Sequence, residues 1–124
     1  MAHRGAFILI DGKKEKRIYG RNLTSLHAIL LLDYALDTKI NKLKRAKELF
    51  SIISSIDKRE KIDEEDLESK IIVDKNENKI EFYLSNKRVE FKRFVQHAKA
   101  FLEEEDYEEF EKFVEKLRKK VQKI

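Results

Sequence analysis

Lysine and arginine are the residues of this chain best placed, by type and spacing, to do chemistry. They form two groups: Lys13, Lys14, Lys16, Arg17 and Arg21, and then Lys39, Lys42, Lys44, Arg45 and Lys47, with Glu15 the only acid inside either group and Glu48 directly after the second. Cations gathered in this way neutralise phosphates, and phosphate contacts supply most of the sequence-independent affinity for nucleic acid. These ten residues are therefore the candidate nucleic-acid contacts. The competing reading is a solvated face in a lysine-rich chain. No aromatic RNA-recognition signature accompanies the groups, and Tyr19 is the only aromatic within the first of them.

Catalytic chemistry has less to stand on. His3, His27 and His97 are scattered and have no acidic partner adjacent in sequence. Asp33 and Asp37 lie four apart on one helix face, a spacing that shares a cation or, more simply, lets Asp37 cap a helix end. The glycines are only Gly5, Gly12 and Gly20, so no phosphate-cradling loop and no nucleophile elbow is present. Asp74 followed by Glu90-Phe91-Lys92 resembles the acidic residue and Glu-x-Lys arrangement of the PD-(D/E)xK nucleases over residues 74–92. That resemblance implies carboxylates holding a divalent metal and a lysine supporting the attacking water. It makes a metal-dependent nuclease the third functional class. The leading expectation is no catalytic residue, no metal and no cofactor.

A third pattern concerns partners. Tyr107, Phe110, Val114, Leu117, Val121 and Ile124 follow the alternating spacing of a heptad seam. Its C-terminal part (Val114, Leu117, Val121 and Ile124) is the candidate contact for a homodimer or another protein. Phe113 widens the stripe, which suits packing on the chain's own body. A dimer with Leu117, Val121 and Ile124 at the contact is the expectation.

The elements that would position these residues follow from local signals. Ala6–Ile10 is an apolar strand, Asp11-Gly12 a hairpin turn pair, and Lys13 to Tyr19 the polar return strand. Asn22 or Thr24 caps a helix over residues 22–37 that is apolar nearly all round and hence central. A second helix runs from Lys39 to Ile56, with the second cationic group on its outer face. A short acidic helix is expected over residues 63–69. Ile71–Asp74 and Ile80–Leu84 form a second hairpin around Lys75–Lys79, and Val89 with Phe91 suggests a further strand. An acidic helix before that hairpin argues against a winged helix-turn-helix, because phosphate would repel it. Helical spacing resumes at Phe91, and Asp106 with Glu109 opens the last helix. The expected fold is α+β: two short antiparallel β-hairpins forming a small sheet, packed against about four helices, the last of them long and amphipathic.

Composition bounds the rest. The chain of 124 residues fits one domain over 1–124. Charged residues make up 42%, well above the common level of about 25%. They are divided unevenly: residues 1–62 carry 14 Lys/Arg and 7 Asp/Glu, and residues 63–124 carry 14 and 17. The chain thus has a basic half and an acidic, heptad-bearing half. Cysteine is absent, which excludes disulfides and a thiol nucleophile. No apolar run is long enough for a membrane span, so a cytoplasmic protein is expected. No proline, little glutamine and abundant Lys, Glu and Ile suggest a thermophile or one of its mobile elements. The leading functional expectation is a small non-enzymatic nucleic-acid-associated protein, accessory or regulatory, ahead of a dimeric protein-binding adaptor or inhibitor.

Overall fold

The computed structural model describes residues 4–20, 23–36 and 67–122. In chain order these are β1 (Gly5–Asp11), β2 (Lys14–Gly20), α1 (Ser25–Leu36), β3 (Ser69–Asp74), β4 (Lys79–Leu84), β5 (Lys87–Val89), α2 (Phe91–Lys99), a 3-10 turn (Glu104–Asp106) and α3 (Tyr107–Gln122). The class is α+β. The five strands form one mixed sheet in the order β2-β1-β3-β4-β5.

β1 with β2 and β3 with β4 pair antiparallel, and both pairs belong to one mixed sheet larger than the small one expected. β1 runs parallel to β3, with Phe7 opposite Ile71, so both halves of the chain share one hydrogen-bonded surface. β5 extends it beyond β4. Three α-helices lie among the described residues, against the four expected. The expected helix from Lys39 to Ile56 lies outside the described residues. The acidic helix expected over residues 63–69 fails where it is described: Ser69 already belongs to β3. The backbone of Glu68 is taken up in pairing, its N–H donating to the Arg4 carbonyl at 2.8 Å and its carbonyl accepting from Ser85 N–H at 2.9 Å.

The turns have identifiable chemistry. Gly12 takes a φ of 63°, at the first central position of the β1–β2 turn, as a type II′ turn requires. Ser85 and Asn86 have φ of 50° and 63°, the paired left-handed conformation of a type I′ turn between β4 and β5. In the β3–β4 connection, one Asp74 carboxylate oxygen accepts the N–H groups of Asn76 (3.0 Å) and Glu77 (3.2 Å).

Alternation along the strands separates two faces. Ile18, Phe7, Ile71, Phe82 and Val89 stand in register across all five strands. With the three helices they build one apolar core, in which Ile29, Leu32, Ile71, Phe94 and Leu117 have no exposed surface. The α1 helix touches β1, β3, α2 and α3, so its expected central place is realised. Its apolar surface is nevertheless not wholly covered, since Leu30 remains exposed. Thr24 caps it as expected: its hydroxyl accepts from His27 N–H at 3.3 Å, and His27 Nδ1 faces back toward Thr24 N at 3.4 Å. This is a capping box with histidine in the usual Glu/Gln place. The last helix begins at Tyr107, and Asp106 lies in the 3-10 turn ahead of it.

Gly5 is fixed by space. A Cβ there would stand 2.0 Å from the Leu23 carbonyl oxygen, a backbone atom held by the approach to α1. We predict that Gly5→Ala destabilises the fold by about 3 kcal/mol, the upper end for overpacking. A thermal melt should fall by roughly 10 °C. A melt within about 2 °C of the original would show that the α1 approach is plastic.

Candidate functional site

Two groups of side chains remain once the core is accounted for, one threaded between elements and one spread over the sheet. The first joins residues far apart in sequence. The Ser25 hydroxyl on the first turn of α1 lies 2.7 Å from His97 Nδ1 on α2, and His97 Nε2 lies 3.5 Å from a Glu68 carboxylate oxygen. Hydroxyl, imidazole and carboxylate in series are the order used to activate a nucleophile. Ser25, however, is 0% exposed, so no substrate carbon can reach its oxygen in this arrangement. The series serves to satisfy buried polar atoms and to tie α1, α2 and the start of β3 together. Sequence reasoning left His97 without a partner because both of its partners are supplied by tertiary structure.

The second group lies on the sheet face opposite the helices. Strand register sets Tyr19, Ala6, Lys70, Tyr83 and Arg88 in one row across β2, β1, β3, β4 and β5. The row contains three kinds of group, namely two phenols, two cations and a small alanine, and no acid. The Lys70 ammonium sits 4.5 Å from the centre of the Tyr83 ring, a cation–π contact. Tyr83 donates its phenolic proton to Glu81 at 2.5 Å. Arg17, in the next row, donates to the Tyr19 hydroxyl at 3.2 Å and pairs with Glu15 at 2.9 Å. Both phenol oxygens are thus held by a neighbour.

Acidic groups concentrate toward the other end of this face. Glu15 and Asp74 occupy the row that also contains Lys79, and Lys79 approaches Glu77 at 3.0 Å and Glu81 at 3.8 Å. The face therefore grades from an aromatic and cationic row to a mixed, ion-paired one. Exposed pairs of this kind contribute less than about 1 kcal/mol each and exchange readily with other partners.

The candidate nucleic-acid contacts divide accordingly. Lys13 is in the exposed β1–β2 turn and Lys14 opens β2, across from Asp11. Lys16 lies in β2 across from Leu9, and Arg17 across from Ile8 on the face just described. Alternation along β2 therefore puts Lys14 and Arg17 on opposite faces. Arg21 and the second group, Lys39, Lys42, Lys44, Arg45 and Lys47, lie outside the described residues. Lys70 and Arg88, which complete the cationic row, were missed because each is isolated in sequence among ordinary strand residues.

The C-terminal seam needs a correction. Leu117 is fully buried within its own chain, and Val114 and Val121 pack against the same core. Lys99–Glu111 (2.7 Å) and Lys120–Asp33 (2.8 Å) further fasten α3 to α2 and α1. The intramolecular core takes the seam because α3 closes the end of the helix layer that α1 and α2 leave open. Leu117 is therefore not available to a dimer contact without undocking α3. Ile124 lies outside the described residues.

The nuclease resemblance is also dispersed. Asp74 uses a carboxylate oxygen in the β3–β4 turn, and Glu90 is the N-cap residue of α2 two strands away. Asp33, considered as half of a cation site, instead pairs with Lys120. Among the described residues no three His, Asp or Glu side chains gather to hold a metal ion. None of the described helices is long and apolar enough to cross a membrane. No protein-family model, curated protein or solved structure matches the chain.

The two groups yield separate predictions. Ser25→Ala removes one partner of a buried polar network and should cost about 1–3 kcal/mol in a urea titration. Glu68→Gln, in the half-exposed part of the series, should cost less than about 1 kcal/mol. Losses in the reverse order would contradict the buried-network assignment. On the sheet, the hydrogen bond to Glu81, followed by burial and the Glu81 charge, raises the Tyr83 phenol above its ordinary value of 10.0, while Arg88 and Lys79 oppose the shift. A raised value means the folded state holds the proton more tightly. The associated stability is complete below the ordinary phenol range and is lost as pH rises through the higher value. The alkaline absorbance titration should show a late phenol that Tyr83→Phe deletes; a Tyr83 component at or below the ordinary value would contradict the Glu81 contact.

Proposed function

We propose that the protein associates with nucleic acid as an accessory or regulatory component, using the sheet face opposite the helices. The observation that carries this reading is the row Tyr19, Ala6, Lys70, Tyr83 and Arg88, in register across five strands and free of acidic residues. Lys70 and Arg88 are cations at defined spacing along it, and Arg17 adds a third in the adjoining row. Phosphate is the ligand such a surface suits, because each cation that meets a phosphate releases condensed counterions. Net charge supports the same direction: the first half of the chain carries twice as many basic as acidic residues.

Edge protection is the alternative explanation for the cations of β2, since charged side chains keep an edge strand from pairing with another chain. It does not account for Lys70, which lies on the interior strand β3. Binding rather than catalysis is the reading that suits the described polar groups.

The test is a salt titration of binding to generic single-stranded and duplex oligonucleotides. Affinity should fall steeply with salt, by about 0.7–0.9 in log slope for each neutralised phosphate. The double variant Lys70→Glu, Arg88→Glu should weaken binding at least about tenfold and flatten the slope. Lys119→Glu, on the exposed side of α3, should matter less. Equal losses would indicate diffuse attraction to a lysine-rich surface, and absence of binding at about 50 mM salt would overturn the proposal.

A further inference from the structure

Building on the nucleic-acid reading above, we infer that the phosphate backbone leaves the sheet face at Arg88 and continues round the β5 edge onto the first turn of α2. Lys87, Arg88, Lys92 and Arg93 hold it there, at a corner that lies mostly off the sheet face.

These four cations fall within seven consecutive residues, and the only acid among residues 85–102 is Glu90. All four are exposed, and none makes an ion pair or a side-chain hydrogen bond among the described residues. Cations elsewhere on the described surface commonly have a carboxylate close by. Arg17, Lys79, Lys99, Lys112, Arg118 and Lys120 each have one within 3.9 Å. Like charges gathered without acids repel one another, and a polyanion relieves that repulsion.

Neither edge protection nor helix stability explains the group. Charge on an edge strand keeps it from pairing with another chain, which accounts for Lys87 and Arg88 on β5. It does not account for Lys92 and Arg93, which stand on α2. The first turn of a helix is its positive end, where cations are unfavourable. The α3 helix follows that rule, with Glu108 and Glu109 in its first turn and Lys119 and Lys120 in its last. The α2 helix breaks it: its first turn holds no acid, and Lys92 and Arg93 sit there instead. A local rule broken without a structural gain marks a place where a ligand supplies the compensation.

Their placement suits an extended polyanion and not a single small anion. Alternation along β5 sets Arg88 in the row with Tyr83 and Lys87 on the other side of the strand. Phe94 and Ala98 are the buried side of α2, and Lys92 and Arg93 are on its exposed side. Cations on opposite sides of one strand do not converge on one phosphate, whereas a chain of phosphates passing the edge meets each in turn. From Lys87 to Arg93, three strand steps and three helical ones span at most about 15 Å. Phosphates of one strand recur about every 3.4 Å along a duplex, so that span meets about four of them. Glu90 is the one acid on this path. It is exposed, and as the N-cap residue of α2 its side chain makes no capping bond.

Salt titrations with a generic duplex and its single strand test the corner against the same charge change elsewhere. Lys92→Gln with Arg93→Gln should lower the log slope by about 1.8 on the duplex and about 1.4 on the single strand, two phosphates in each case. Lys116→Gln with Lys119→Gln, on the exposed side of α3, should change it by less than about 0.4. Glu90→Gln should tighten binding about threefold, and Glu104→Gln, an equal change in the exposed 3-10 turn, should not. The Lys92, Arg93 variant should melt no lower than the parent, because cations are removed from the positive end of a helix. A melt lower by more than about 4 °C would give these cations a structural role and overturn the inference. Equal slope changes from the α2 and α3 pairs, or equal effects of the two glutamate variants, would also overturn the corner. So would an unchanged slope from the α2 pair while Lys70→Glu, Arg88→Glu still weakens binding, and the sheet-face reading would then stand. Binding of the parent chain to neither oligonucleotide, or to anionic lipid vesicles alone, would overturn the nucleic-acid reading itself.

Discussion

The parallel pairing of β1 with β3 is the interaction on which the rest of the structure depends. It is the single seam between the β1–β2 pair and the β3–β4–β5 meander, and it is fastened beyond both ends of the ladder. Glu68 N–H donates to the Arg4 carbonyl at one end, and Lys75 N–H donates to the Ile10 carbonyl at the other, each within 2.9 Å. At the second end the Asn76 amide also brackets Gly12, accepting from its N–H at 2.8 Å and donating to its carbonyl at 2.9 Å. The two turns are thereby locked side by side. A parallel pair this short has modest hydrogen-bond energy of its own, so the packing of Phe7, Ile71 and Val73 beneath α1 must supply most of its stability.

The same seam brings together both of the side-chain groups with chemistry in them. It sets Ala6 beside Lys70, and so joins Tyr19 from one half of the chain to Tyr83 and Arg88 from the other. It also sets Glu68 at the mouth of the gap between α1 and α2, where His97 bridges it to Ser25. One group is buried and spends its polar atoms on holding elements together. The other faces away from the core and keeps its cations in weak pairs that a polyanion can replace. Burial, more than residue type, separates the structural role of the first group from the binding role proposed for the second.

Much of the local structure was legible in the sequence. Asp11-Gly12 marked the first turn, Thr24 the cap of α1, and the spacing from Tyr107 the last helix. These are short-range signals, each set by one turn of backbone or one stripe of side chains. The β1–β3 pairing was not legible, because a parallel partner sixty-odd residues away leaves no periodicity of its own. The site suffered from the same limit. Lys14 and Arg17 stand in one run, yet strand alternation puts them on opposite faces, while Lys70 and Arg88 become part of the row only through register. Leu117 was misassigned for a related reason: heptad spacing looks the same whether the stripe meets a second chain or the chain's own core.

The central claim is that ligand chemistry resides on the face opposite the helices. Isotope-labelled protein titrated with an unlabelled single-stranded oligonucleotide tests this residue by residue through chemical-shift changes. The account predicts that the largest changes fall on Tyr19, Lys70, Tyr83 and Arg88, with α1 and α3 nearly unaffected. Changes concentrated on the outer side of α3, or spread evenly over all exposed lysines, would contradict it.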